Sequence, residues 1–219
     1  TLAVDPLKKK QAYETGKKIV ELVKKDIKPR DIMTKYAFEN AIRVDMAMGG
    51  STNTVLHIPA IAKEAGIDID VNTFDKISRQ APNICKIIPA GTHEMADIDK
   101  AGGVPAVLNR LKYMINDSLT VNGNGIKDIA KKAKVLDDDI IRPLDNPYMK
   151  QGGIAVLKGN IANTSIIKQT AVEKEMMVHS GPAKVFYTEN DLLDAIKAKK
   201  IQEEDVIVLP FQGPAGAPG

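Results

Sequence analysis

Behind Pro6, a residue suited to a first helical turn, the apolar positions Tyr13, Ile19, Val20, Leu22 and Val23 recur among lysines at helical spacing, predicting an amphipathic helix over residues 7–25. Pro29 interrupts the pattern. A second helix is predicted from about residue 31 to residue 48, with Ile32, Tyr36, Phe38, Ile42, Val44 and Met46 as its apolar positions. Gly49-Gly50 stops it, and Ser51 or Thr52 is placed to cap a third helix running to about Ala65, ahead of Gly66. Asn72 or Thr73 is placed to cap a short helix ending near Gln80. Helices are expected around 94–100 and 105–114.

Beyond residue 117 the character changes. Residues 118–121 form a short β-like run, followed by a helix near 126–134. Strand-like runs then occupy 154–157, 165–168, 183–187 and 205–210, with glycine or proline between most of them. One helix, 189–200, is expected among them, with Asn190 and Asp191 at its start. The expected fold class is α/β (α+β), with a helix-rich part over 1–139 and a β-rich part over 140–219. The change itself falls within 117–145.

Composition narrows the function classes. The 219 residues are 43% hydrophobic and 27% charged, an ordinary globular balance. Lys and Arg number 31 against 28 Asp and Glu, a net charge of +3. The excess sits in lysine runs on predicted helix faces, which gives no case for nucleic acid or a membrane surface. Trp is absent and aromatics are 4%, so stacking platforms for single strands have little to be built from. A single cysteine excludes a disulfide framework. No apolar run of about 18 residues exists to span a membrane, and Thr1-Leu-Ala-Val-Asp-Pro6 lacks the features of a signal peptide. A cytoplasmic location is the expectation.

Four places carry candidate chemistry. Gly49-Gly50-Ser51-Thr52-Asn53 leads into a helix, where free backbone N–H groups and the helix dipole suit a carboxylate or phosphate. A plain helix break followed by a cap explains the same residues. Cys85 lies between apolar neighbours; it reads as a small buried hydrophobe, as a nucleophile served by His57, His93 or His179, or as one ligand of a metal centre completed elsewhere. In Thr92-His-Glu-Met-Ala-Asp97, His93 and Glu94 lack the spacing of a zinc pair, Asp97 is placed to orient His93, and helix capping is the plainer reading. The pairs Gly102-Gly103 and Gly152-Gly153 read as tight turns, the dense Gly213–Gly219 stretch as a close backbone approach, and Asp137-Asp138-Asp139 as an exposed linker or a cation site.

Taken in order, Ala47-Met-Gly-Gly-Ser-Thr-Asn-Thr-Val-Leu-His57, Ile84-Cys-Lys-Ile-Ile-Pro89, Ala101-Gly-Gly-Val104, Ile141-Arg-Pro-Leu144, Gly152-Gly-Ile-Ala-Val-Leu-Lys-Gly-Asn160, Gly181-Pro-Ala-Lys-Val185 and Gln212-Gly-Pro-Ala-Gly-Ala-Pro-Gly219 closely resemble the dihydroxy-acid dehydratase family. That family also includes sugar-acid and phosphogluconate dehydratases. The resemblance covers essentially the whole chain, and the Asn53-Thr-Val-Leu-His57 stretch is most similar to the branch that makes branched-chain 2-keto acids for valine and isoleucine.

The resemblance implies a hydro-lyase that dehydrates 2,3-dihydroxy acids, 2,3-dihydroxyisovalerate among them, to 2-keto acids. It further implies an iron–sulfur cluster (2Fe-2S or 4Fe-4S) as Lewis acid for the departing 3-hydroxyl, a magnesium ion holding the substrate, and a serine alkoxide taking the C2 proton. Cys85 corresponds to the third of the family's three cluster cysteines. Ser51, Thr52 and Asn53 fall in a stretch close to the family's active site and are the candidate substrate-binding residues. The other cluster cysteines, the magnesium ligands and the Asp-Gly-Arg-Phe-Ser motif of the catalytic serine have no counterpart here. No catalytic residue is therefore expected in this chain, both cofactor sites are expected to be incomplete, and the chain alone is expected to be an inactive piece of the enzyme. The family architecture is an N-terminal α/β domain carrying the cluster and a C-terminal swivelling β-barrel, usually in a homodimer. The alternatives are a sugar-acid or phosphogluconate dehydratase, or a non-catalytic anion-binding module.

Overall fold

A computed structural model describes residues 3–212 as a mixed assembly of helices and two small sheets. The Gly213–Gly219 stretch lies outside the described residues. Helix α1 spans Leu7–Lys24 and closes with Asp26 in the left-handed region: Ile27 N donates to Leu22 O (3.0 Å) and Asp26 N to Val23 O (3.1 Å), so the last carbonyls are satisfied. The helix predicted over 31–48 is two helices, α2 Pro29–Ile32 and α3 Lys35–Met48. Thr34 separates them because its hydroxyl accepts from Ala37 N (3.3 Å) and starts α3 afresh.

Helix α3 is the hub. Phe38, Ile42 and Met46, at four-residue spacing, share one face with Ile69, Phe74, Ile77 and Ala62. These partners come from α4 Thr54–Glu64, the following loop and α5 Val71–Gln80. Ala47, on the other side, joins Ile84, Cys85, Ile98, Val107, Leu111 and Ile141. That second cluster is built with α6 Met95–Lys100, α7 Gly103–Arg110 and α8 Ile126–Lys132. The cap of α5 is Asp70 rather than Asn72 or Thr73; its carboxylate accepts from Thr73 N (2.9 Å) while Asn72 donates to it (2.8 Å). The β-like run at 118–121 is no strand but a turn closed by the bridge of Leu119 with Gly125.

Strands β1 Ile154–Leu157 and β2 Ser165–Lys168 pair antiparallel, with Ile154 opposite Lys168. Ile154 is buried in the Phe38–Phe74 cluster, so this hairpin belongs by packing to the helical unit. The compact units divide after Ala171, whereas residue character changes near 139/140. The second unit places β3 Ala183–Val185 beside β4 Val206–Val208 in parallel, joined through α9 Glu189–Lys197. Among its described residues only Ala195 is a buried apolar residue, and Val178, Tyr187 and Phe211 stand in solvent.

Candidate functional site

The Gly-Gly break after α3, the segment around Cys85 and the end of β2 meet. Gly49 (φ +99°) ends α3 in a conformation that glycine adopts without strain. Behind it, the carbonyl of Ala47 accepts three donors: Ile84 N (2.8 Å), Cys85 N (3.2 Å) and the buried Asn83 Nδ2 (3.1 Å). Gly153 N donates to Met46 O (3.0 Å), the Gln169 amide donates to Gly152 O, and Thr170 Oγ1 donates to Gly49 O (3.4 Å). Gly152 and Gly153 do not serve as a tight turn. They allow close approach, since a Cβ at Gly153 would lie 2.2 Å from Gly49 O and one at Gly152 2.6 Å from Met46 Cβ. The hairpin is thereby latched against the candidate loop.

The loop's backbone is largely spoken for. Ser51 N donates to Asp45 Oδ1 (3.3 Å), Asn53 N to Ser51 Oγ (3.4 Å), Thr54 N to Ser51 O (3.0 Å) and Val55 N to Thr52 O (3.2 Å). Neither Ser51 nor Thr52 caps α4 as predicted; Asn53 stands at the cap position without a side-chain bond to the helix. Thr54 Oγ1 donates to Asp45 Oδ2 (2.7 Å). An anion of the chain's own, the Asp45 carboxylate, thus stands at the start of α4, where the sequence left a docked anion and a plain helix break as alternatives. Burial pushes its carboxyl above the ordinary value, while Thr54, the Ser51 amide and the Lys168 ammonium draw it back. What the loop leaves open is side chains: Ser51, Thr52 and Asn53 are exposed.

Cys85 is fully buried, and burial alone pushes its thiol up to about 12. No histidine acts on it, so it is not an activated nucleophile. It borders a small pocket of about 10 Å³, shared with Gly49, Asn83, Ile87, Lys168 and Thr170, with room for about one water. His57 is exposed on α4, and His179 lies in the second unit, where its Nε2 is 3.1 Å from Glu204 O. His93 N donates to Lys86 O (3.2 Å), closing the loop that follows Cys85. Asp97 is spent on capping rather than on orienting His93: it accepts from Glu94 N (2.9 Å), which holds its carboxyl below the ordinary value.

In the acidic triplet, Asp138 pairs with Arg110 and Asp137 accepts from Asp139 N (2.9 Å) and Ile140 N (3.3 Å), an ordered linker. Among the described residues no three His, Cys, Asp or Glu side chains are grouped to hold a metal ion. Among the described residues Cys85 is a single free thiol, a soft sulfur donor of the type that iron–sulfur centres take. Sequence reasoning missed Asp45, Lys168 and Thr170. Asp45 was within reach as an acid in the last turn before Gly49-Gly50; nothing local marked the other two.

Residues 1–129 match the N-terminal domain profile of the family described as dihydroxy-acid/6-phosphogluconate dehydratase, and residues 139–219 match its C-terminal profile. Over its whole length the chain is 53% identical to a dihydroxy-acid dehydratase of Thermodesulfovibrio yellowstonii and 52% identical to one of Endomicrobium trichonymphae. It is 50% identical over 99% of its length to one of Methanothermobacter thermautotrophicus. The chain spans about 40% of the length of each of these curated relatives.

Proposed function

The chain belongs to the dihydroxy-acid/6-phosphogluconate dehydratase family, and from that premise we propose that the whole protein is a hydro-lyase converting a 2,3-dihydroxy acid of the 2,3-dihydroxyisovalerate type to its 2-keto acid, a step of valine and isoleucine biosynthesis. In that reaction C2 loses its proton and C3 its hydroxyl, and the resulting enol tautomerises to the keto acid. The observation that carries the reading is identity of about half the residues, over essentially the entire chain, to enzymes named dihydroxy-acid dehydratase.

Within that enzyme, Ser51, Thr52 and Asn53 offer exposed hydroxyl and amide groups to the polar substrate, consistent with their place on the rim of the latched loop. Cys85 gives one thiolate to an iron–sulfur cluster, whose remaining ligands, like those of magnesium, come from outside this chain. A soft, buried sulfur is the donor type such a centre takes, and a bound metal supplies the charge that a thiol pushed up to about 12 needs in order to ionise. No chemical step is assigned to residues of this chain, which alone is inactive. Residues 1–139 are the later part of the cluster-bearing domain, and residues 140–219 open the swivelling barrel. The enzyme works as a cytoplasmic homodimer; no helix among the described residues is long and apolar enough to cross a membrane.

The test is an anaerobic dehydration assay of the full-length protein with cluster reconstituted and magnesium present, offering 2,3-dihydroxyisovalerate beside gluconate. Keto acid from the first supports the proposal. Turnover of gluconate alone moves the protein to the sugar-acid branch that the family description also covers. Turnover of neither leaves the non-catalytic module.

A further inference from the structure

The turn between α7 and α8 holds two Asn-Gly bonds in succession, Asn122-Gly123 and Asn124-Gly125, and both asparagines are exposed. Such a bond is open to attack of the following backbone nitrogen on the side-chain amide, because glycine has no Cβ to shield that nitrogen. The fold holds glycine at both places. Gly123 has φ +80°, and a Cβ at Gly125 would be crowded at 3.0 Å from Asp117 Oδ1.

The two bonds differ in what restrains them. Asn122 Oδ1 accepts from Thr120 Oγ1 (2.7 Å) and from Asn124 N (2.9 Å), and Gly123 N donates to Thr120 O (2.9 Å). Both the Asn122 amide and the nitrogen that would attack it are therefore engaged. The bridge of Leu119 with Gly125 is made by Thr120 N donating to Asn124 O (3.0 Å) and Ile126 N to Ser118 O (2.9 Å), which uses no N–H of Gly125 itself. Among the described residues neither Gly125 N nor the Asn124 carboxamide has a hydrogen-bond partner. We propose that Asn124 is a site of spontaneous deamidation in the folded protein, while Asn122 is shielded. Gly125 N gives up its proton and bonds to Asn124 Cγ; the Cγ–Nδ2 bond breaks, and the amide nitrogen takes up a proton and leaves as ammonia. One water then opens the succinimide to aspartate or isoaspartate. Isoaspartate carries the main chain through Cβ and Cγ, so it lengthens the chain between the two bridge bonds and loosens the start of α8, whose Ala130 is buried in the second cluster. The inference is independent of which acid the enzyme dehydrates.

The experiment ages the full-length protein in mildly alkaline H₂¹⁸O beside a synthetic peptide of residues 113–127. Digestion in ordinary water follows, and electron-transfer mass spectrometry locates the ¹⁸O-bearing acid and separates isoaspartate from aspartate. The peptide lacks the turn's hydrogen bonds and gives each asparagine its unrestrained rate. In the protein, Asn124 is expected to react at close to its peptide rate and Asn122 about tenfold or more slowly than its own, the protection that two or three net hydrogen bonds confer. Asn124→Ala is expected to remove isoaspartate from this segment. Equal protection of the two asparagines, or faster reaction at Asn122, would overturn the proposal. Reaction at neither site while the peptide reacts would show the turn held or covered in the whole protein and overturn it equally.

Discussion

Replacing Gly153 by alanine tests the latch that joins the β1–β2 hairpin to the candidate loop. The added Cβ would stand 2.2 Å from Gly49 O, 2.3 Å from Gly49 C and 2.6 Å from Gly49 Cα. All three are backbone atoms, so no rotamer change relieves the clash, and the two segments must part by about an ångström to reach ordinary contact. Separation breaks the bond from Gly153 N to Met46 O (3.0 Å). Overpacking costs about 1–3 kcal/mol, and the lost bond about 1 kcal/mol more. The sum, about 2–4 kcal/mol, raises the open population of this region roughly thirty- to a thousand-fold.

Native-state hydrogen exchange on the full-length protein reads that factor at the amides of Gly152, Ile84 and β1, without requiring two-state unfolding of a multidomain chain. Gly159→Ala is the control, because the nearest atom to its new Cβ, Ala162 O, is 3.9 Å away; its effect belongs within about 0.5 kcal/mol. Equal exchange in the two variants would refute the close approach of Gly153 to Gly49 and, with it, the account of how the hairpin holds the loop.

Cys85→Ala in the full-length enzyme is expected to abolish cluster absorbance and activity while circular dichroism stays native; unchanged absorbance would return Cys85 to a packing role. In the cluster-free protein the thiol is expected to resist a disulfide reagent at pH 8 until denaturant is added, since a group titrating at about 12 is ionised in roughly one molecule in ten thousand there. Asp45 has its folded value raised by burial, so its ionisation opposes folding: the protein loses stability as pH rises from the ordinary carboxylate value through the raised one. Asp45→Asn should therefore gain thermal midpoint over wild type at pH 7 relative to pH 4, and a constant difference would contradict the sign. Asp70 is lowered by bonds from Asn72 and Thr73, so its contribution is present above the ordinary carboxylate value and lost as pH falls through the lowered one. Asp70→Ala should cost about 1 kcal/mol in denaturant titration at pH 7 and progressively less in acid.

Much of the local structure was legible because it answers to short-range rules. Helical periodicity placed α1 within a residue of its end, and the runs 154–157 and 165–168 are strands β1 and β2 to the residue. Failures came where several groups compete for one role. Thr34 broke a pattern whose apolar spacing continues straight across it, and Asp70 took a cap for which Asn72 and Thr73 were equally plausible residue types. At the candidate site, Gly49–Asn53 and Cys85 stood out from the sequence, whereas Asp45, Lys168 and Thr170 did not.

Residue order by itself determined α1, most of the other helices, strands β1 and β2, the stop at Gly49-Gly50, and the family, because these are written in spacing and in ordered motifs. Folding decided what those motifs can do. It sealed Cys85 against solvent, set the Asp45 carboxylate at the start of α4, and drew Thr170 to Gly49 across 121 positions of chain. Such encounters are fixed by how α3 packs on two sides at once, with Met46 facing one cluster and Ala47 the other. Burial, and the titration that burial shifts, belongs to that arrangement of distant segments and to no single stretch of sequence.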